Sequence, residues 1–158
     1  MAWKTRTHRS GFSLLELVIV VVIIGIIAAI AIPRMSRGAA GAADSALAGN
    51  IVILGKAVDM YAAEHNGTNP AAATIANQLT LYSSAAGATS ATKDTTYIYG
   101  PYLRSVPALP VGAKKGSTGI AAADGSGVGW IYNATTGDIS SNTTATEVDA
   151  SGKKYSDY

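Results

Sequence analysis

Three sets of residues in this 158-residue chain have the side chains for chemistry, and their spacing decides what they can do. Glu64 and His65 offer an acid, a base and a metal-binding nitrogen. Residues one apart on a helix do not face each other, and histidine suits the negative end of a helix dipole. The pair therefore reads as helix-end chemistry. The other histidine, His8, is remote in sequence. Asp124, Asp138, Asp149 and Asp157 supply oxygen donors, but their spacing fits no calcium loop. Lys114-Lys115-Gly116 lacks the upstream glycine of a phosphate loop. No Ser/His/Asp set and no paired carboxylates emerge. With no cysteine, thiol nucleophiles and thiolate metal sites are excluded. The third set is one residue, Glu16. It opens an apolar run in which the sixteen residues from Leu17 to Ile32 carry no charge. A carboxylate at a bilayer centre costs roughly 2.5–3.5 kcal/mol on insertion scales, and less near the interface. Something must compensate for it.

The element that positions Glu16 is the run itself. Phe12 to Ile32 is 21 residues. As helix, at ~1.5 Å per residue, that is about 31 Å, enough to span a bilayer core. Lys4, Arg6 and Arg9 precede it, which predicts a cytoplasmic N-terminus and places everything beyond Arg34 outside the cytoplasm. The net charge of +2 comes from this leader. Without residues 1–11 there are nine basic against ten acidic residues, so bulk charge gives no support for binding nucleic acid. The rest of the chain is rich in Ala, Gly, Ser and Thr, and its core must be built from Leu, Ile, Val, Tyr and Trp130. That predicts a modest soluble domain. Disulfides cannot hold it, so packing, assembly or a bound ion must.

Three readings fit the N-terminus. One is an uncleaved anchor. Another is a secretory signal with Ala29-Ile30-Ala31 as its cleavage site, although the apolar region is long for a signal and contains Glu16. The third rests on the junction Gly11-Phe12-Ser13-Leu14-Leu15-Glu16, followed by Gly25 and then Pro33-Arg34. This junction resembles the type IV prepilin family, which includes the pseudopilins of type II secretion. The resemblance implies that a prepilin peptidase cuts after Gly11 and N-methylates Phe12. It also implies that Glu16 pairs with the freed amine of a neighbouring subunit during assembly. A buried carboxylate and a buried ammonium each cost several kcal/mol alone, and pairing offsets this. One axial offset satisfies both charges, so Glu16 acts as a register device. Alternatively, Glu16 reaches the headgroups from near the membrane end. Gly25 and Pro33 weaken the helix, since proline clashes with the carbonyl four residues back, here that of Ala29. In filaments of this family the segment between them can lose helicity. An ordinary membrane-helix kink is the other reading.

Beyond Pro33, Leu47, Ile51, Leu54, Val58 and Tyr61 follow one helical face, and Asn66-Gly67 is a stop signal. One helix is thus predicted from about Phe12 to His65. Asn69-Pro70 predicts a short helix over 70–82 with Ile75, Leu79 and Tyr82 inward. Residues 83–95 read as a surface loop. The proline-rich segment 99–112 cannot be a central strand, and is expected to cross a sheet face on Tyr102, Leu103 and Val106. Pro107 to Pro110 fits a PxxP pattern without supporting context. Residues 117–123, 128–133 and 139–146 read as strands, with Asp124-Gly125 and Thr136-Gly137 as hairpin turns.

The predicted fold class is α+β: a long N-terminal helix packed on a small antiparallel sheet. Residues 1–11 form a leader. Residues 12–33 form the transmembrane and filament-core half of the helix. Residues 34–158 form a periplasmic head, with the second half of the helix over 34–65 and the sheet over 117–146. Gly100-Pro101-Tyr102-Leu103 with its two spaced prolines, and Gly-Trp-Ile-Tyr-Asn followed by Thr-Thr-Gly-Asp, look most like a major (G-type) pseudopilin. That resemblance implies a non-enzymatic subunit of a homo-oligomeric helical filament. It implies minor pseudopilins, the prepilin peptidase and an inner-membrane assembly platform as partners, with no nucleic acid. The subunit would be single-pass in the inner membrane, its head periplasmic, and would then enter the filament. Such pseudopilins usually bind calcium in C-terminal loops. Their signature is not recognisable here, so calcium and any metal ligands stay open and no cofactor is assigned. The alternative is a major or minor pilin of a type IV pilus, serving adhesion, motility or DNA uptake. The missing cysteines count mildly against that, since many such pilins close a C-terminal loop with a disulfide. An enzyme released by a signal peptidase would need a catalytic set after residue 35, and none is visible.

Overall fold

The computed structural model describes residues 12–158, and for 32–37 the backbone alone. The chain divides into two compact units, Met1–Gly38 and Ala39–Tyr158. A single helix, α1 (Leu14–Glu64), runs through the boundary. In the first unit, the apolar stretch Leu14–Ala31 has none of its residues buried. The side chains from Phe12 to Ile30 have no core to enter. The composition of this stretch suits a membrane or a helical neighbour rather than water.

In the second unit α1 follows a different rule. Leu47, Leu54, Val58 and Tyr61 are buried on one face, with Ile51 half-buried beside them. They pack with Ile75 and Leu79 of α2 (Ile75–Thr80), Leu109 and Val111 of the proline-rich segment, and Trp130, Tyr132 and Ile139 of the sheet. The glycines along this stretch weaken the helix by up to about 1 kcal/mol each relative to Ala, so packing of this face supplies the difference. The helix stops at Asn66 and Gly67, both at positive φ (55° and 79°), where the Gly67 amide donates to the Ala62 carbonyl at 2.8 Å. The predicted helix over 70–82 is shorter, beginning only at Ile75. Ile75 and Leu79 do point inward, while Tyr82 is half-buried and already in a strand.

Two small sheets follow. β1 (Tyr82–Ser83) and β2 (Thr89–Ser90) form an antiparallel pair inside the segment expected to be surface loop. Ser83 and Ser84 are buried there, so part of that loop belongs to the core. Ser83 exchanges backbone hydrogen bonds with Tyr99, which satisfies its amide and carbonyl away from water. The second sheet has the order β3 (Gly119–Ala121), β4 (Val128–Tyr132), β5 (Ile139–Ser141). β4 and β5 are antiparallel, joined through Thr136 and Gly137 (φ 82°), with the Asn133 amide donating to the Asp138 carbonyl at 2.9 Å. β3 and β4 are parallel, which corrects the expected hairpin at Asp124-Gly125. Parallel neighbours normally need a crossover of a dozen residues or more. Here β3 is only three residues long, a return of about 10 Å, which residues 122–127 can cover. The all-antiparallel expectation thus holds for one of the two pairings in this sheet.

The proline-rich segment packs on this core through Tyr102, Leu103 and Val106. Trp130 fixes it from below: its indole Nε1 donates to the Pro107 carbonyl at 2.8 Å.

Candidate processing and assembly site

Ser13, Leu14, Leu15 and Glu16 open α1 as a reciprocal cap. The Ser13 amide donates to Glu16 Oε2 at 2.9 Å, and the Leu15 amide donates to Ser13 Oγ at 3.2 Å. A helix start leaves its first amides without intrahelical partners. The capping-box pattern satisfies two of them with one serine and one glutamate three residues later. The local chain therefore supplies part of the compensation that Glu16 requires: its carboxylate accepts a hydrogen bond and faces the positive end of its own helix dipole. The role of Ser13 was missed in the sequence reading, although the Ser-x-x-Glu spacing was its signal. Phe12 precedes the cap and is 89% exposed. Gly11, the expected cleavage residue, lies outside the described residues.

Gly25 and Pro33, the other two positions singled out, both lie within α1. A Cβ at Gly25 would meet nothing within 4 Å. Pro33 has no N–H to give the Ala29 carbonyl. The softening expected between them concerns an assembled state.

Away from the helix start, the four aspartates considered for calcium are dispersed. Asp124 pairs with Lys114 and accepts from Asn142 Nδ2 at 2.9 Å. Asp149 Oδ1 accepts from the Ser151 amide and Oγ, both at 2.7 Å, and from the Lys153 amide at 2.9 Å, while Oδ2 accepts from the Tyr158 hydroxyl at 2.5 Å. The tyrosine hydrogen bond, followed by those from Ser151, holds its carboxyl well below the usual range. Asp138 and Asp157 are exposed. Among the described residues, no three carboxylates or histidines converge to hold a metal ion. The four aspartates therefore do not form a shared carboxylate cluster for calcium.

The carboxylates instead close the segment 142–158. Glu147 accepts from the amides of Thr144 (2.6 Å) and Ala113 (2.5 Å), which lower its pKa. Tyr155 donates its hydroxyl to Asp44 Oδ1 of α1 at 3.0 Å, and the Tyr155 carbonyl accepts from Ser141 Oγ at 2.7 Å. Glu64 and His65 do not act on each other. Glu64 accepts from the Tyr102 hydroxyl at 2.5 Å; burial and this carboxylate together push the phenol above its ordinary pKa. His65 is buried and stacked on Tyr61, with ring centroids 3.8 Å apart. Its Nδ1 lies 2.8 Å from the Tyr61 carbonyl and its Nε2 3.0 Å from the Ser84 carbonyl. It ties the end of α1 to the β1–β2 segment. The face of α1 turned away from the core leaves Val52, Ile53 and Met60 more than half exposed.

Residues 6–32 match the family model of the prokaryotic N-terminal methylation motif. No curated protein and no solved structure matches the chain. The match covers Gly11, the cap at Ser13 and Glu16, and the whole apolar stretch from Phe12 to Ile32. Together with the long N-terminal helix and the small sheets, it describes a type IV pilin-like chain whose N-terminus is consistent with an inner-membrane prepilin.

Proposed function

We propose that the chain is a structural subunit of a type IV pilin-like filament, and in particular the major pseudopilin of a type II secretion system. The observation that carries the filament reading is the N-terminal helix: a methylation motif opens an apolar helix with no residue buried in its own unit. Such a surface requires lipid before assembly and other helices after it. The subunit would sit in the inner membrane with its head periplasmic. The prepilin peptidase would cut after Gly11 and methylate Phe12. The assembly platform would then move the subunit into a homo-oligomeric filament with minor pseudopilins. Glu16 would meet the amine of a neighbouring copy and set the axial register. Gly25 and Pro33 would let the intervening helix loosen to fit the filament. The work is done by assembly, not by catalysis. The pseudopilin assignment rests on Gly100-Pro101-Tyr102-Leu103 and the spaced prolines after it. It is supported by the way that segment lies on Trp130.

The test is the N-terminal residue and intact mass of the mature protein from host membranes. A chain beginning at N-methylated Phe12 sustains the reading. A chain beginning at Ile32 means a secretory signal was removed, and the filament reading falls with Glu16 and Gly25.

A further inference from the structure

His65 is 4% exposed, and both of its ring nitrogens face backbone carbonyls. A carbonyl only accepts, and a neutral imidazole carries one N–H. The contacts from Nδ1 to the Tyr61 carbonyl (2.8 Å) and from Nε2 to the Ser84 carbonyl (3.0 Å) are therefore both hydrogen bonds only in the imidazolium. The neutral ring can repair one mismatch. Nδ1 keeps its proton for Tyr61, and Nε2 accepts from the Ser83 hydroxyl 3.2 Å away. Among the described residues Nδ1 has no such hydroxyl, so the other tautomer leaves a lone pair against the Tyr61 carbonyl. In the repaired state Nε2 and the Ser84 carbonyl are two acceptors in contact, and they repel. The Ser84 carbonyl can leave the ring without being orphaned, because the Gly87 amide also donates to it at 2.8 Å.

The surroundings admit a positive charge. On α1, Tyr61 lies face to face with the ring, the planes 4° apart, and an aromatic face attracts a cation. The ring also sits just past the negative end of the α1 dipole. Burial pushes the Tyr61 hydroxyl above its ordinary pKa, so it stays neutral while a histidine titrates. Tyr99 packs on the ring with centroids 4.9 Å apart, and Tyr102 of the proline-rich segment packs edge-on to Tyr61. Glu64, the chain neighbour, gives its carboxylate to the Tyr102 hydroxyl. β1 contributes only Ser83 and Ser84, and residues 85–87 carry no charge. Among the described residues no carboxylate is paired with the ring. A cavity of about 260 Å³, bounded by Tyr61, His65, Thr68 and residues 85–87, opens the ring to solvent protons.

We propose that His65 is a proton-operated latch between the end of α1 and the turn at residues 84–87. Protonated, it donates to the Tyr61 and Ser84 carbonyls and holds the turn on the helix. Deprotonated, it trades the Ser84 carbonyl for the Ser83 hydroxyl, and the turn is free to move with β2 behind it. The closed state holds one more proton than the open one, so the latch is closed on the acid side of the ring's titration and opens as pH rises through it. The latch belongs to the head and does not depend on the filament reading.

The test is ¹⁵N NMR of the full chain in detergent micelles from about pH 5 to 8, the range in which histidines change charge. His8→Gln leaves His65 as the only histidine and so assigns its ring signals. Both ring nitrogens are expected to carry protons at the acid end, and Nδ1 alone at the alkaline end. A two-stranded pair as short as β1–β2 is not stable by itself, so its amides report the latch. Relative to intrinsic exchange at each pH, the Ser84 and Gly87 amides should lose at least about tenfold in protection as the ring deprotonates, the effect of losing one hydrogen bond from a charged donor. The Trp130 amide in β4 should keep its protection. His65→Gln should abolish the pH dependence. Ser83→Ala deletes the neutral ring's donor, so the ring should hold its proton about three- to tenfold more tightly. A ring that keeps one charge state across the range overturns the proposal. So does a ring that titrates while Ser84 and Gly87 stay protected, which would make His65 a fixed tie. A loss of protection that persists in His65→Gln places the switch elsewhere and overturns it too. If His65→Gln does not fold, the wild-type titration and Ser83→Ala decide, and a titration unmoved by Ser83→Ala rules out the exchange of partners.

Discussion

The two halves of α1 obey opposite rules. From Leu14 to Ala31 nothing is buried, and the information lies in a few marked positions: Ser13, Glu16 and Gly25. From Leu47 to Tyr61 one face is buried against the head, and the information lies in the spacing of ordinary apolar residues. The first half is shaped for partners outside its own unit, the second for partners within its own. A substitution should therefore damage assembly in one half and folding in the other.

The largest effects should separate the two halves cleanly. Trp130 is fully buried and also holds the Pro107 carbonyl, so Trp130→Ala should cost about 3–5 kcal/mol of head stability. That is a large share of what a small domain has. Glu16→Ala should leave the head's denaturation midpoint within about 0.5 kcal/mol of wild type. It should still be cleaved, yet filament yield should collapse. Denaturation of the full chain in detergent, with sheared-filament yield beside it, checks both. A Glu16→Ala protein that assembles normally would break the comparison.

Two glycine substitutions should differ in sign. A Cβ on Gly129 would clash with the Ser117 carbonyl beside the sheet, so Gly129→Ala should cost about 1–3 kcal/mol. A Cβ on Gly25 meets nothing within 4 Å, so Gly25→Ala should favour the helix by up to about 1 kcal/mol. If Gly25 serves as a soft point, that stiffer helix should reduce filament yield while amide exchange in the micelle-bound subunit slows. Unchanged filament yield would remove the softening role.

Alkaline pH above about 10 should act on the head through its tyrosines. All eight tyrosines lie at Tyr61 or beyond. Burial, with the nearby Tyr61 charge adding to it, pushes Tyr132 up to about 12. An unfolded tyrosine ionises near 10, so the folded state's preference for neutral Tyr132 is fully present below pH 10. It is lost as pH rises from 10 toward 12. The head's denaturation midpoint should fall across that window, while the helicity of Leu14–Ala31 in micelles should not change.

Much of α1 was legible because its rules are local. The inward positions of the second half and the Asn66-Gly67 stop each need only a few neighbouring residues. The direction of β3 was not legible. A three-residue strand shows no useful period, and its register on β4 shifts between Gly119 and Ile120, which no local pattern encodes. Ser83 and Ser84 read as loop because serine is polar. Their burial depends on acceptors and donors supplied by Tyr99 and His65 from elsewhere in the chain. At the candidate site, the cap at Ser13 was missed although its Ser-x-x-Glu spacing is local. On the proposed filament reading Glu16 meets a second copy, and one chain's sequence does not place that copy.

The smallest effect tests how tightly the second half of α1 is held by its own unit. Tyr155 reaches Asp44 across 111 residues of sequence, and both are half-buried. Tyr155→Phe keeps the ring and removes only the hydroxyl, so the expected cost is about 0.5–1.5 kcal/mol. Asp44→Ala should cost a similar amount, and the double variant little more than either alone, because the two groups share one interaction. Additive losses would mean that Asp44 and Tyr155 act separately. Segment 142–158 would then be held by Ser141 and by the carboxylate-centred turns at Glu147 and Asp149. Those turns have an acid limit of their own. Both carboxyl groups are held below their ordinary range by hydrogen bonds, so their contribution is present above about pH 4 and is lost as pH falls through the folded values. Repeating the cycle at low pH should therefore loosen segment 142–158 in wild type, while the cap at Ser13 stays intact at neutral pH in every variant of this pair.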